Sequence, residues 1–335
     1  MSLIASRASR RRGGTLVALL ATVALALAGC GGERPERDAA GGTQQLSIAT
    51  GNTTGVYYQL GGGLADLISK NLPGYRATAE ATGASVENLQ RIAKGDSDIA
   101  FTLADSAADA VNGKGSFTSK QPVTALARIY TNYTHVISRD SAVKTVADLR
   151  GKRVSTGSPN SGTEVIARRL LEAAGLDPDR DVHGQALSLP ESVQGMKDGV
   201  IDALVWSGGL STPGILDLLT SLKSRVRFVP LDDLTPVLRR DHGPIYLDAE
   251  IPADKANGQS GPTKTIAVPN LLVVKADMDE QLAHDLTRLL FERKDDLGDN
   301  VHPSAKRIPA PKDQQSAPVP LHRGAQRYFE EVTRR

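Results

Sequence analysis

Hydrophobic and polar positions follow two rhythms along this chain, and the switches between them mark its elements. Residues 46–49 alternate with period two and predict a first strand. Residues 59–69 then place Leu60, Leu64, Leu67 and Ile68 at helical spacing. The same reading predicts strands at 75–81, 98–103 and 123–130, and helices at 86–94, capped by Ser85, and at 106–111, opened by Asp105. The polar run Thr131-Asn132-Tyr133-Thr134 predicts a break, after which the pattern restarts. A strand at 135–138, a helical turn at 146–149, a strand at 152–156 and a helix at 164–174 follow. The next strand, 201–206, leaves through Ser207-Gly208-Gly209. Residues 263–274 form a long apolar strand interrupted at Pro269-Asn270. Helices at 281–291 and 324–332 flank a proline-rich connection, 303–320. Strands alternating with helices over about 290 residues predict α/β architecture with parallel pairing in two lobes. The expected boundaries are 46–132 plus 265–335 for lobe 1 and 133–264 for lobe 2.

The first residues have a different character. Arg7, Arg10, Arg11 and Arg12 precede an uninterrupted apolar run, 16–28, shorter than the roughly 20 residues that a membrane-spanning helix needs. A basic region followed by a short apolar one predicts an export signal over residues 1–29. Leu27-Ala28-Gly29-Cys30 resembles a bacterial lipobox, which makes Cys30, the single cysteine of the chain, the residue to be lipidated. The double arginine leaves general and twin-arginine export both open. Residues 30–45, glycine-rich and aperiodic, predict a flexible tether. The expected location is extracytoplasmic, on the bacterial cell membrane through the Cys30 anchor. Without the leader the chain carries 36 Lys+Arg against 38 Asp+Glu. A near-neutral surface argues against nucleic acid as a partner.

Candidate chemistry concentrates in loops between strand ends and helix starts. Thr50, Gly51, Thr53, Thr54, Gly55 and Tyr57 join the first strand to the first helix. Unpaired backbone N–H groups and the positive end of the helix dipole make such a turn an anion site. Thr82 and Ser85 open the second helix, Asp105 and Ser106 the third. Ser158, Ser161, Gly162 and Thr163 repeat the device in the second lobe. Open α/β sheets bind ligands beyond the carboxyl ends of their strands, where all these loops fall. None of the four loops holds arginine or lysine, so amides, hydroxyls and dipoles would carry an anion. Arg128 is the basic candidate for a second carboxylate. Asp105 is either a cap or the acceptor of an ammonium group, and Trp206 either a ligand wall or core.

The loops also carry a family likeness. Thr50-Gly51…Gly55…Tyr57-Tyr58, Thr82-Gly83-Ala84-Ser85…Asn88 and Gly95-Asp96…Asp98 resemble, in order, motifs of the TAXI-type solute receptors of tripartite ATP-independent periplasmic (TRAP) transporters. So do Gly157…Ser161-Gly162-Thr163, Asp198-Gly199…Asp202-Ala203 and Pro320-Leu321-His322-Arg323-Gly324-Ala325…Tyr328. Arg323 stands where that family usually has proline, and Trp206-Ser207-Gly208-Gly209 departs from its aliphatic–glycine pair. The resemblance implies a type II periplasmic-binding-protein fold: two Rossmann-like lobes joined by a hinge, with the ligand in the cleft. It implies a monomeric receptor without cofactor or metal. Such a receptor delivers a small organic anion, such as glutamate or 2-oxoglutarate, to an ion-gradient-driven permease.

Two other functions compete. One is the binding lipoprotein of an ATP-driven importer for sulfonates or related anions. The other is an extracytoplasmic hydrolase, for which Ser141…Lys144 matches S-x-x-K but finds no S-D-N or K-T-G partner. The six histidines lack ligand spacing. Asp177, Asp179 and Asp181 begin a calcium-loop pattern that lacks its glycine and its closing glutamate. The expectation is a binding protein, not an enzyme.

Overall fold

A computed structural model of the chain describes residues 42–253 and 261–334. The expected leader, Cys30 and most of the tether lie outside the described residues. The chain runs β1 (Gln44–Ala49), α1 (Val56–Asn71), β2 (Tyr75–Glu80), α2 (Ser85–Lys94), β3 (Ile99–Leu103) and α3 (Ala104–Asn112). It continues through β4 (Val123–Ser138), β5 (Arg153–Ser155), α4 (Gly162–Ala173), β6 (His183–Gln185), α5 (Leu189–Asp198) and β7 (Ala203–Gly208). Then come α6 (Pro213–Leu222), β8 (Arg227–Phe228), α7 (Thr235–His242), β9 (Leu247–Ile251), β10 (Thr263–Lys275), α8 (Glu280–Asn300) and α9 (Arg323–Thr333).

One sheet holds these strands in the order β2-β1-β3-β10-β4-β7-β5-β6, with β8 beside β4 and β9 beside β10. The outer trios β2-β1-β3 and β7-β5-β6 are parallel. The two long central strands are antiparallel to each other and to both trios. Each crosses from one half of the sheet to the other. The first part of β10 pairs with β9 and its last part with β3, while the end of β4 pairs with β7. The break expected at residues 131–134 is absent, because β4 runs unbroken through it. Polar residues persist there because partners reach them. Asn132 Nδ2 donates to Ser207 O, and Asn270 Nδ2 donates to Asn132 Oδ1 at 2.9 Å and to Tyr130 O. The interruption expected at Pro269-Asn270 is a register shift between β10 and β4. Proline has no N–H for a ladder, so such an irregularity is where a central strand can hold one.

Helices cover both faces. Leu60, Leu64 and Ile68 of α1 pack with Leu286, Leu290 and Phe291 of α8 and Phe329 of α9. Leu189, Val193 and Met196 of α5 pack with Ile215 and Leu218 of α6. On the other face, Leu89 and Ile92 of α2, Ala107 of α3 and Ile166 and Leu170 of α4 share one core, drawn from both halves of the sheet. Glycines inside α1 cost about 1 kcal/mol each in helix propensity. Here they permit close packing: a Cβ on Gly63 would stand 2.8 Å from Leu297 and Val301. No described helix is long and apolar enough to cross a membrane.

Candidate functional site

Three helices begin at one cavity. Gly55, in extended backbone, caps α1; Ser85 is the first residue of α2; and Ser161 caps α4, its hydroxyl accepting the Glu164 N–H at 3.0 Å. The cavity, of about 40 Å³, is lined by Gly51, Gly55, Tyr57, Ser85, Ser158, Ser161, Gly162, Thr163 and Trp206 among the expected residues. That space is a few times what one water molecule needs, so a solute held in this form is compact. Free N–H groups at three helix starts give the walls a positive potential without a single cation.

The two halves of the sheet meet across this cavity. The Glu87 N–H donates to Asn160 O at 3.0 Å. Gly162 lies so close to Leu103 and Ser85 that a Cβ there would sit 2.6 Å from Ser85 Oγ. Ala84, with φ of 84°, holds a backbone conformation that non-glycine residues rarely adopt. Strain of this kind, roughly 1–3 kcal/mol, is typical of functional loops. It turns the Gly83-Ala84 backbone into the cavity wall. Ser85 does not cap α2 with its side chain as expected. Its hydroxyl instead accepts the Leu103 N–H at 3.0 Å, tying α2 to the end of β3.

The apolar wall is aromatic. Tyr57 packs against Phe101 and edge-on to Tyr130, and its hydroxyl donates to Asn270 Oδ1. Burial pushes the Tyr57 and Tyr130 phenols above their ordinary pKa. Both therefore stay protonated. The Trp206 ring reaches Gly55 and lies against Gly208, while its Nε1 donates to Thr212 Oγ1 at 3.4 Å. Thr163 Oγ1 accepts the Ser207 N–H at 3.3 Å, joining the start of α4 to the end of β7.

Other expected residues are spent elsewhere. Thr50 Oγ1 donates to Glu80 O at 2.6 Å and Thr82 Oγ1 to Asn88 Oδ1 at 2.6 Å, so both hydroxyls brace the loops from behind. Thr54 bonds Asn52, and Thr53 is exposed. Ser106 is buried beside Asp105. Asp105 does not face the cavity as an acceptor for an ammonium group. It is 1% exposed, accepts the Tyr246 hydroxyl at 2.7 Å and pairs with Arg169 at 3.4 Å. Arg169 also pairs with Asp109. Burial works against the Arg169 charge, yet Tyr246, Asp105 and Asp109 together hold its pKa above the usual value. Arg128 stays outside the cavity. Its backbone bonds Gln314 in both directions, and burial lowers its pKa.

Asn52, Tyr130, Asn132 and Ser207 were not among the expected contact residues, and with Val56, Gly83, Ala84, Leu103, Gly208 and Gly209 they complete the lining. The signal for Asn132 was masked, because the polar run 131–134 reads as a break until β4 is seen to pass through it. The lining contains no Asp, Glu, Lys, Arg, His or Cys. Among the described residues, no group of three or more His, Cys, Asp and Glu could hold a metal ion.

Solved structures share this fold. A protein from Bordetella bronchiseptica RB50 is 17% identical over 86% of this chain and 98% of its own, with a TM-score of 0.55. The binding protein component of an ABC phosphonate transporter from Pseudomonas aeruginosa is 12% identical over 75% and 74%, with a TM-score of 0.50. The MOPS-bound alkanesulfonate-binding protein SsuA from Xanthomonas axonopodis pv. citri is 16% identical over 87% and 85%, with a TM-score of 0.48. The fold is that of type II periplasmic binding proteins, as expected. The profile of the NMT1-like family matches residues 48–332, nearly all of the described chain, and the protein belongs to that family.

Proposed function

We propose that this chain is an extracytoplasmic solute-binding receptor that captures a small organic monoanion and passes it to a membrane transporter. One observation carries the reading: three helix N-termini converge on a cavity between two sheet halves whose lining holds no charged side chain. Amides and hydroxyls can hold one anionic group, each hydrogen bond to it contributing roughly 1.5–3 kcal/mol. A second carboxylate would find no cation, because Arg128 lies elsewhere. An ammonium group would find no acid, because Asp105 is committed to Arg169 and Tyr246. The lining therefore favours a sulfonate, phosphonate or monocarboxylate over glutamate or 2-oxoglutarate. It also lacks any group able to act as a general base at neutral pH, which supports binding and release rather than hydrolysis. Lipid on Cys30 would hold the receptor beside its transporter.

An ATP-driven importer is the better-supported partner, since the Pseudomonas aeruginosa protein of the same fold belongs to an ABC phosphonate transporter. A TRAP permease is the second reading, favoured by the six motifs that resemble TAXI receptors in order. Thermal denaturation against sulfonates, phosphonates, monocarboxylates, dicarboxylates and amino acids tests the solute class. A monoanion at 100 times its dissociation constant should add about 2.7 kcal/mol of stability. Stabilisation by zwitterionic or cationic solutes alone would refute the proposal.

A further inference from the structure

Two buried hydroxyls, one in the cavity wall and one on the strand paired with it, have no hydrogen-bond partner in the protein: Ser207 Oγ and Thr134 Oγ1. Ser207 is part of the cavity wall and 5% exposed; Thr134 is 1% exposed. They are not independent. In the β4–β7 ladder Thr134 stands directly opposite Ser207, and residues so paired point their side chains to the same face of the sheet. Three of their four backbone groups have identified partners: the Ser207 N–H donates to Thr163 Oγ1, Ser207 O accepts from Asn132 and Thr134 O accepts from Thr265. Only the hydroxyls are left over. A buried hydroxyl without a partner is destabilising. Two of them on paired residues, one of which lines a site whose other hydroxyls are largely engaged, need a reason.

We infer that Ser207 and Thr134 read a neutral hydroxyl or oxo oxygen on the solute, close to its anionic group. The placement follows from the backbone. Ser207 is bonded to Thr163 at the start of α4, where the anion is held, so the oxygen it meets lies one or two carbons from that anion. A hydroxyl pair suits such an oxygen because each can donate or accept as the partner requires. The expected solutes are hydroxy- or oxo-substituted monocarboxylates and sulfonates. This inference rests on the monoanion reading and narrows it.

The test uses two matched pairs of probes, lactate against propionate and isethionate against ethanesulfonate. Each is titrated calorimetrically into the full receptor and into Ser207→Ala and Thr134→Val. The receptor should bind the substituted member of a pair at least tenfold more tightly. Each variant should lose most of that preference by weakening the substituted acid alone. Because each removes a hydroxyl that has no partner, neither should lower the melting temperature of the solute-free protein. A preference that is absent from the receptor, or that survives both variants, overturns the inference and leaves the monoanion reading standing. So does a variant that melts earlier and weakens both members equally, the mark of a structural role. If no acid of either pair binds, this inference falls; if the phosphonates of the thermal panel are silent as well, the monoanion reading falls with it.

Discussion

Two regions join the halves of this molecule, and they use opposite chemistry. At the cavity the contact is made by glycines, serines and backbone amides, and no charged residue lines it. At the α3–α4 contact, Arg169 meets Asp105 and Asp109 with Tyr246 beside them, nearly out of reach of water. The same helix serves both, since Ser161, Gly162 and Thr163 open α4 at the cavity and Arg169 lies two turns on. Charges are costly to bury unless they are paired. Here each is paired, which removes Asp105 from the chemistry of the solute. The cavity is left to fixed dipoles, which need no counter-charge and can release what they hold.

The largest expected effect breaks the charged region. Arg169→Met leaves Asp105 buried without its cation and should lower stability by about 3–5 kcal/mol in urea denaturation. Adding Asp105→Asn should recover part of that loss. Recovery of nothing, or no loss from the single change, would show that the cluster does not join the halves.

Acidification separates the regions. Burial holds His135 neutral with its pKa pushed down to about 4, and His242, His302 and His322 are lowered for the same reason. Below pH 6.5 the unfolded chain takes up protons that the folded chain refuses. Stability therefore falls as pH drops from 6.5 towards 4, with His135 alone contributing up to ~3 kcal/mol, and it is unaffected by these groups above 6.5. Affinity for a sulfonate that does bind should stay flat between pH 6 and 9, because the cavity has nothing to titrate there. A titration step in binding within that range would place a charged group at the solute after all.

Gly162→Ala probes the uncharged region. Its methyl would press on Ser85 and Leu103 across the cavity. Binding measured by calorimetry should weaken about 100-fold, or about 2.7 kcal/mol, with a smaller change in stability. Unchanged binding would mean that this face opens without reference to the solute.

Much of the architecture was legible in the residues. The alternation of strand and helix rhythms located most of the elements, and the glycine- and hydroxyl-rich turns at 50–58 and 157–163 both reach the cavity. The failures have physical causes. The run Thr131-Asn132-Tyr133-Thr134 looked like a loop because its polar side chains have no local partner. Asn270 and Ser207, which satisfy Asn132, lie 138 and 75 residues away. Asp105 could be read as a cap or as a ligand contact because its cation, Arg169, is 64 residues on and invisible locally. β1 starts at Gln44, two residues before the strand expected at 46, because Gln44 and Gln45 pair with Tyr75 and Arg76 of β2.

What the sequence determined by itself is therefore the local chemistry: which turns start helices, and that those turns carry amides and hydroxyls rather than cations. A helix start is decided by a few neighbouring residues, so its dipole and free N–H groups can be read from them. Only the tertiary structure decided which polar groups remain for a solute. Thr50 and Thr82 are taken and Ser207 is left over, because a hydroxyl bonds to whatever the fold brings within about 3 Å, and that partner is set by strand register rather than by distance along the chain.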